Sequence, residues 1–284
     1  SETLNLVGGF FRPQFGRESI TSGYATTSGE KAMQQGYIRR HLVGTGPGRA
    51  IGINLGGIIP SADQIQINYN LGYFHPNYSS EFNNTIGVNW APLWVGRMVL
   101  NFGDPEMQKY KIGYQTNYYN QRKGLSLGGS AAYQGETDLF TENTAYSIDF
   151  LLNWGPVNVD GDWHFMHRRN DTIAYYSNTG HIRTSYNITL GDKILEPVLM
   201  YALFNGAEDE QKQEYAGILR NFSGIERSIN VGLNYYLNKH DLKVIAHYVF
   251  QDGELGRNQF FNLSAIGLPI ERGDYFVLGL NAIF

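Results

Sequence analysis

Basic side chains recur on the polar faces of segments in which polar and apolar residues alternate. If the apolar faces of these segments meet lipid, the polar faces between them line a lumen. A cation near low-dielectric walls attracts anions strongly, and the planar arginine fork can bind two oxygens of an oxyanion at once. The inward basic residues would be Arg97, Lys109, Lys111, Arg168, Arg183 and Lys243. They make a candidate path for anions.

Acidic residues on the same polar faces leave a second interpretation open. Asp149, Asp160, Asp162 and Glu196 lie on faces that also carry the basic residues. In this interpretation the opposite charges pair across the lumen and only fill and brace it, because mixed charge is normal on any wet surface.

One long segment, residues 12–48, is locally basic in a chain whose formal net charge is −4. Loops longer than about 15 residues in a compact domain usually have a function or are disordered. A solvated loop whose charges select nothing is one interpretation of this segment. Its ionisable residues are Arg12, Arg17, Lys31, Arg39, Arg40 and His41, opposed by Glu18 and Glu30.

Catalytic and metal chemistry find little support in the residue pattern. His164 and His167 point to opposite faces of a strand, so they cannot chelate one ion together. The chain has no Cys and no Gly-x-Ser-x-Gly elbow. A Ser-His-Asp site assembled across strands stays open, because such partners need not be close in sequence. We therefore predict no enzyme, no catalytic residue, no metal site and no cofactor.

In the segments that must position the charged residues, apolar and polar side chains alternate with a period of two. In one strict instance Ile65, Ile67 and Tyr69 alternate with Gln66 and Asn68, as in a two-faced strand. Each predicted strand has about the 9 to 11 residues that a tilted membrane strand requires. The predicted strands are 3–11, 49–58, 63–75, 91–103, 107–119, 124–134, 143–154, 157–168, 180–190, 193–204, 227–238, 242–251 and 274–284. Because single-chain bacterial barrels have even strand numbers, we expect about 14 strands, within a range of 12 to 16.

Composition agrees with strands and argues against several other classes of protein. The 34 Gly, 20 Tyr and 16 Phe against 9 Pro favour strands and tight turns. An uncharged apolar run of about 18 residues, long enough for a spanning helix, is absent from the sequence. A nucleic-acid partner is not expected, since such proteins usually carry a basic excess.

The last predicted strand is informative because its apolar residues continue to Phe284. A closed barrel needs this strand, since the last strand pairs with the first to leave no edge in lipid. Aromatic residues at strand ends, such as Tyr73 and Trp154, favour a membrane interface over a soluble β-sandwich or lipocalin-like barrel. We therefore predict an all-β fold, a transmembrane antiparallel β-barrel over residues 1–284 as one domain.

Residues 8–57 and two later stretches resemble the phosphate-selective porins of the O and P type. The stretch Gly9-Phe10-Phe11-Arg12-Pro13-Gln14-Phe15-Gly16-Arg17-Glu18 is similar to that family's G-x-F-x-x-P-F-G-x-E segment, with one extra residue before Phe15. The stretch Glu196-Pro197-Val198-Leu199-Met200-Tyr201 resembles its E-P-V-x-R-Y strand, with Met in place of Arg. Residues 231–238 resemble its penultimate hairpin.

The resemblance implies a passive outer-membrane channel for small anions, phosphate or other oxyanions among them. It makes residues 12–48 the constriction, with Arg12, Arg17, Arg39 and Arg40 as its candidate residues. It also implies a bacterial outer membrane with its lipid and lipopolysaccharide, a homotrimer, and an N-terminal segment before residue 1. Two alternatives stay open: a non-selective general porin, and a plugged barrel that serves as a scaffold or anchor subunit of a larger envelope complex.

Overall fold

The computed structural model describes residues 2–44, 47–60, 65–77, 84–256, 270–271 and 273–282. Within them, fourteen strand segments form one antiparallel sheet in which sequence neighbours are also spatial neighbours. The strands are β1 Asn5–Phe11, β2 Ala50–Pro60, β3 Ile65–His75, β4 Leu93–Gly103, β5 Lys123–Gln134, β6 Glu142–Trp154, β7 Val157–Arg169, β8 Ala174–Tyr186, β9 Ile188–Leu190, β10 Lys193–Asn205, β11 Gly224–Asn238, β12 Leu242–Leu255, β13 Ile270–Glu271 and β14 Tyr275–Ala282. The expected all-β antiparallel fold with about 14 strands is confirmed.

Two of the fourteen segments are short continuations of longer strands. β9 pairs with β10 beside β8, and β13 pairs with the end of β12 beside β14. Twelve of the thirteen predicted segments overlap an observed strand, and the predicted strand at 107–119 is wrong. β4 pairs directly with β5, with Phe102 opposite Leu125, so the sheet has no position for an intervening strand.

The connections divide the barrel into a rim of long loops and a rim of short turns. Residues 12–49, 76–92 and 206–223 join strands at the first rim, which we call the mouth. The opposite rim carries two- or three-residue turns such as 155–156 and 239–241, with 104–122 as an exception. Long loops at one rim and short turns at the other are the arrangement of outer-membrane barrels.

Three α-helices lie in the described parts of these connections. They are α1 Arg17–Ile20, α2 Gln34–Leu42 and α3 Glu210–Ile218. Asp209 caps α3 by accepting the backbone N–H of Lys212, which satisfies one of the unpaired donors at the start of a helix. No helix in the described part of the chain has the length and apolar character needed to cross a membrane.

The sheet exposes its apolar face and buries its polar face. In β6, Tyr146 and Ile148 are 58% and 63% exposed, whereas the alternating Ser147 and Asp149 are 3% and 5% exposed. A water-soluble sheet does the opposite, because burial of apolar area is what stabilises it in water. The outer face therefore suits lipid, as in a transmembrane β-barrel.

The two edges of the sheet are β1 and β14. β1 pairs with β2 and β14 pairs with β12, and no backbone pairing joins β1 to β14 within the described residues. Val7 and Val277, on the inner faces of these edges, are only half-buried. The expected pairing of the last strand with the first is thus not seen in the described ranges, and Phe284 lies outside them.

A charge placed on the outer face tests whether that face meets lipid. We expect Ile148→Arg, at the middle of β6, to lower the free energy of unfolding in lipid vesicles by about 2 to 4 kcal/mol. The matched control is Ile218→Arg on α3, which is 49% exposed outside the sheet and should change stability by about 0.5 kcal/mol at most. Urea titrations followed by tryptophan fluorescence measure both, and equal effects of the two variants would contradict a lipid-facing β6.

Candidate functional site

Residues 12–44, which we call the plug, lie inside the barrel. Strands from around the sheet contact the plug: Ser130 of β5 accepts from Gly16 N–H at 3.3 Å, and Thr144 O of β6 lies 2.9 Å from His41 Nε2. On the far side, Asn234 of β11 donates to Thr27 O at 2.6 Å. The sheet therefore curls around the plug, and the lumen is filled along these strands.

A second segment enters the lumen from the rim of short turns. Residues 104–122, which we call the insertion, occupy the place of the strand predicted at 107–119. Positive φ angles of 52° at Tyr119 and 65° at Asn120 end any extended conformation there. Met107 and Tyr114 of the insertion pack against Ile20 of the plug and Ile58 of β2. The plug and the insertion thus meet inside the barrel.

An ion network ties the plug and the insertion to the wall. Arg17 donates two bonds to Glu106, of 2.8 Å and 2.7 Å, and its Nε donates to Asp149 Oδ1 at 3.2 Å. Arg97 of β4 donates to the same Asp149 oxygen at 2.9 Å. All four side chains are fully buried. Burial by itself raises the pKa of Glu106, but the Arg17 guanidinium outweighs burial and brings that pKa to about 2.

A second ion network centres on Arg183 of β8. This side chain donates to Asp160 Oδ1 at 2.9 Å and to Glu18 Oε2 at 3.0 Å. It also donates to the hydroxyls of Thr26 and Ser28 in the plug, at 2.8 Å and 2.7 Å. Burial raises the pKa of Glu18, but the charges of Arg183, His181 and Lys31 together outweigh burial and lower this pKa below its usual value.

The second network includes a group of possible metal ligands. Oxygen or nitrogen atoms of Glu18, Asp160 and His181 lie within 4.8 Å of one another. Arg183 already donates to both carboxylates, and His181 Nε2 lies 3.0 Å from Asp160. A divalent cation would have to displace a buried guanidinium that satisfies these oxygens. The group is therefore better described as a bracing ion cluster.

Two further lumen cations bind backbone carbonyls. Arg168 of β7 donates to the carbonyls of Thr85 and Leu219 at 2.8 Å and of His41 at 2.7 Å. It thereby joins three long connections of the mouth. Lys243 of β12 donates to Thr26 O of the plug at 2.7 Å.

The predicted inward basic residues fall into two groups. Arg97, Arg168, Arg183 and Lys243 face the lumen and are at most 3% exposed, each with protein acceptors. Lys109 and Lys111 lie exposed on the insertion, away from any strand. Pairing of Asp149 and Asp160 with arginines is what the bracing interpretation expects. A role of these residues in anion passage stays a prediction.

The constriction candidates also differ in their surroundings. Arg17 is held in the first ion network, and the Arg40 guanidinium lies 5.3 Å from the centre of the Phe222 ring. Arg12 and Arg39 lie at the mouth and form no salt bridge within the described ranges. Burial lowers the pKa of Arg12, and the nearby guanidinium groups of Arg49 and Arg39 lower it further. Three arginines therefore concentrate positive charge at the mouth.

One acidic residue of the lumen, Glu106, was missed by sequence reasoning. It lies between the strands predicted at 91–103 and 107–119, and its Arg17 partner is 89 positions away. The turn residues Asp104-Pro105 mark the end of the preceding strand but give no sign of this partner. The sequence placed Glu196 on a polar face but not its contacts: it accepts from Asn117, Asn234, Tyr236 and Ser185, which lie on three separate elements.

Comparisons with known proteins add no assignment. No family model matches this chain, and no curated protein matches it. What the lumen and its mouth can bind therefore follows from their own geometry.

Loss of one buried charge tests whether the first ion network holds the plug. We expect Glu106→Gln to lower the free energy of unfolding by about 3 kcal/mol, because removing one partner leaves a buried guanidinium incompletely compensated. The control is Glu142→Gln, whose pair with Arg169 is partly exposed and should contribute about 1 kcal/mol or less. Urea unfolding measures the free energy of unfolding of both variants. A Glu106→Gln variant as stable as Glu142→Gln would contradict the role of Glu106 in holding the plug.

His41 makes the plug sensitive to acid. Burial and, after it, the charge of Arg168 lower the pKa of His41 to about 3. An unfolded histidine has a pKa of about 6.5, so between pH 6.5 and 3 the unfolded chain binds a proton that the folded chain does not. Stability therefore falls as the pH drops, by up to about 1.4 kcal/mol per pH unit from this group.

The matching experiment replaces the titrating ring but keeps a hydrogen-bonding side chain. We expect His41→Gln to show a shallower loss of stability between pH 6 and pH 4 than the unmodified protein. His75→Gln, at an exposed position at the end of β3, is the control. Urea midpoints across this pH range measure the slopes, and parallel slopes for all three proteins would contradict a neutral, buried His41.

Proposed function

We propose that the protein is an outer-membrane β-barrel that admits small anions, oxyanions such as phosphate among them, through an arginine-lined mouth. The observation that carries this proposal is the contrast between lumen and mouth. In the lumen, Asp149 and Asp160 neutralise their arginine neighbours, whereas Arg12 and Arg39 form no salt bridge in the described ranges. The charges of Arg49 and Arg39 act on Arg12 more strongly than that of Glu18, so an incoming anion meets an excess of positive charge first at the mouth.

Passage requires the plug to move. Arg17, Arg168 and Arg183 are at most 1% exposed, so the conformation described has no water-lined path past them. The contacts that hold the plug are ion pairs and hydrogen bonds, and an anion that exchanges with Glu106 or Glu18 keeps the arginine paired while the displaced carboxylate is released toward water. The proposed channel is thus closed in this state.

The resemblance to phosphate-selective porins supports the same proposal. The stretch that carries it, residues 9–18, enters the plug at its start, where Arg12 and Arg17 lie. A membrane of lipid and lipopolysaccharide suits the apolar outer face. A homotrimer is proposed on the resemblance alone.

The filled lumen favours a second candidate function, a plugged barrel that anchors or scaffolds a larger envelope complex. This candidate is supported by the burial of Arg17, Arg168 and Arg183 and by the two segments that meet inside the barrel. A wide, non-selective porin fits less well, because a water-filled lumen would leave such side chains exposed.

The reversal potential of the purified protein in a planar bilayer under a chloride gradient separates these functions. We expect anion-selective current that millimolar phosphate reduces. The double variant Arg12→Gln with Arg39→Gln should bring the anion-to-cation permeability ratio several-fold closer to unity. Arg169→Gln, at the same rim but paired with Glu142, is the control.

The other outcomes each point to one alternative. No current from the unmodified protein would contradict the channel and favour the plugged scaffold. Current of unchanged selectivity in the double variant would remove the mouth arginines from the mechanism.

A further inference from the structure

The exposed apolar surface of the barrel continues past the ends of β3 and β4 into the connection between them at the mouth. In residues 84–92 of this connection, Val88 is 54% exposed and Trp90 is 52% exposed. Ile86, two residues before Val88, is fully buried. An apolar side chain outside a strand usually leaves water by packing inward, as Ile86 does. Val88 and Trp90 instead stay on the surface.

Trp90 continues a column of aromatic rings on the outer face of the sheet. Tyr73 of β3 lies opposite Trp94 of β4, and their ring centres are 4.8 Å apart. The centre of the Trp90 ring lies 6.5 Å from that of Tyr73 and 5.8 Å from that of His75, the last residue of β3. Trp94 is 46% exposed on the face that suits lipid. The surface that carries Trp90 is therefore continuous with the lipid-facing surface of the sheet.

One carboxylate holds the backbone beside these two exposed side chains. Asp138, in the connection between β5 and β6, accepts the backbone N–H groups of Val88 and Asn89 with the same oxygen, at 2.7 Å and 3.1 Å. Gly87, with a φ of +97°, permits this approach, because a Cβ there would clash with that oxygen. The exposed positions of Val88 and Trp90 are thus fixed by the fold of the connection.

The composition of residues 84–92 suits removal from water. These nine residues contain no ionisable side chain. The connection between β10 and β11, residues 206–223, also lies at the mouth but carries four acidic residues within 208–214. Taking a charged group out of water costs much more free energy than taking out an apolar one. Of these two connections, residues 84–92 are therefore the one that can enter a membrane surface at little cost.

We infer that Val88 and Trp90 enter the headgroup region of the lipid leaflet at the mouth, so that this connection is a membrane contact. Tryptophan prefers that region, because its ring is apolar and its N–H group stays wet. A second copy of the chain is a poorer occupant of this surface. A stable protein interface buries about 800 Å² on each partner, whereas a large aromatic side chain supplies about 150 to 250 Å².

The membrane contact lies next to residues that are bonded to the plug. Thr85 O accepts from Arg168 at 2.8 Å, and the Thr85 hydroxyl donates to the carbonyl of Arg40 in α2. A connection that is held by lipid would therefore also hold α2 at a fixed height relative to the membrane. This inference goes beyond the proposed channel, since it applies equally to a plugged barrel.

Fluorescence quenching by brominated lipids tests the membrane contact without measuring current. The full chain is folded into phosphatidylcholine vesicles whose acyl chains carry bromine either near the glycerol end or near the methyl end. Three single-tryptophan proteins are compared, in which the other native tryptophans are replaced by Phe. One keeps Trp90, one keeps Trp163 at the middle of β7, and one carries Ile218→Trp on α3 as the matched control.

The three tryptophans should differ in the lipid that quenches them. We expect Trp90 to be quenched most by bromine near the glycerol end, because its ring stays in the headgroup region. Trp163 lies opposite the exposed Ile148 and should be quenched most by bromine near the methyl end. Ile218→Trp should not be quenched, although Ile218 is about as exposed as Trp90. If a single-tryptophan protein fails to fold, the difference between the unmodified protein and Trp90→Phe gives the Trp90 signal.

A charge placed in the connection tests the same contact in a second way. Val88→Asp should reduce the quenching of Trp90 severalfold, because a carboxylate resists removal from water. The control Ile218→Asp should leave the quenching of Trp90 unchanged. Circular dichroism of each variant verifies that the strands have formed, so a lost contact is distinguished from a lost fold.

Each remaining outcome has one meaning. If acrylamide in the water quenches Trp90 and neither lipid does, Trp90 lies in water and the inference is overturned. If neither acrylamide nor lipid quenches Trp90, protein covers it, a second copy included, and the inference is overturned as well. Absence of lipid quenching of Trp163 would contradict the lipid-facing sheet itself and overturn the membrane contact with it. Quenching of Trp90 as expected in a protein that carries no current supports the contact, in which case only the proposed channel falls.

Discussion

Charges enclosed by an apolar wall must be compensated from within, and the rest of this structure depends on that constraint. The outer face of the sheet carries exposed apolar side chains, so the ionised groups inside cannot reach water through it. Four of these groups form ion pairs with one another: Arg17, Glu106, Asp149 and Arg97. Because these four residues belong to the plug, the insertion, β6 and β4, their pairing also fixes how the two inner segments sit against the wall.

The same constraint separates the lumen from the mouth. Deep in the barrel, arginines are matched by carboxylates or backbone carbonyls, as Arg183 is by Asp160 and Glu18. At the mouth, water is near and unpaired charge is tolerated, so Arg12 and Arg39 form no salt bridge in the described ranges although Arg49 lies near Arg12. Positive charge is therefore least compensated at the mouth, while the lumen arginines hold the plug against the wall.

The sequence predicted the strands well and the contents of the lumen poorly, for a physical reason. Alternation reports which side of a strand faces lipid, and it placed Arg97, Arg168, Arg183 and Lys243 on the inner face. Alternation does not report backbone pairing. The alternating residues of 107–119 therefore predict a strand that does not form, because β4 pairs directly with β5. Contacts such as that of Arg17 with Glu106 join positions far apart in the sequence. Neither the period of the polar pattern nor the spacing of charged residues indicates such a contact.

The plug also bears on the seam between β1 and β14, where the described strands share no backbone pairing. Gly29 lies close against His247 of β12 and Val277 of β14, so that a side chain there would crowd them, and the Tyr275 hydroxyl of β14 lies 3.5 Å from Glu30 Oε2. The plug thus supports from inside the edge that lacks a neighbouring strand. The contacts at the seam and the ion pairs in the lumen both belong to the plug. A displacement of the plug from the lumen would therefore also remove its contacts with β14. Closure of the lumen and integrity of the barrel wall are therefore coupled through residues 12–44.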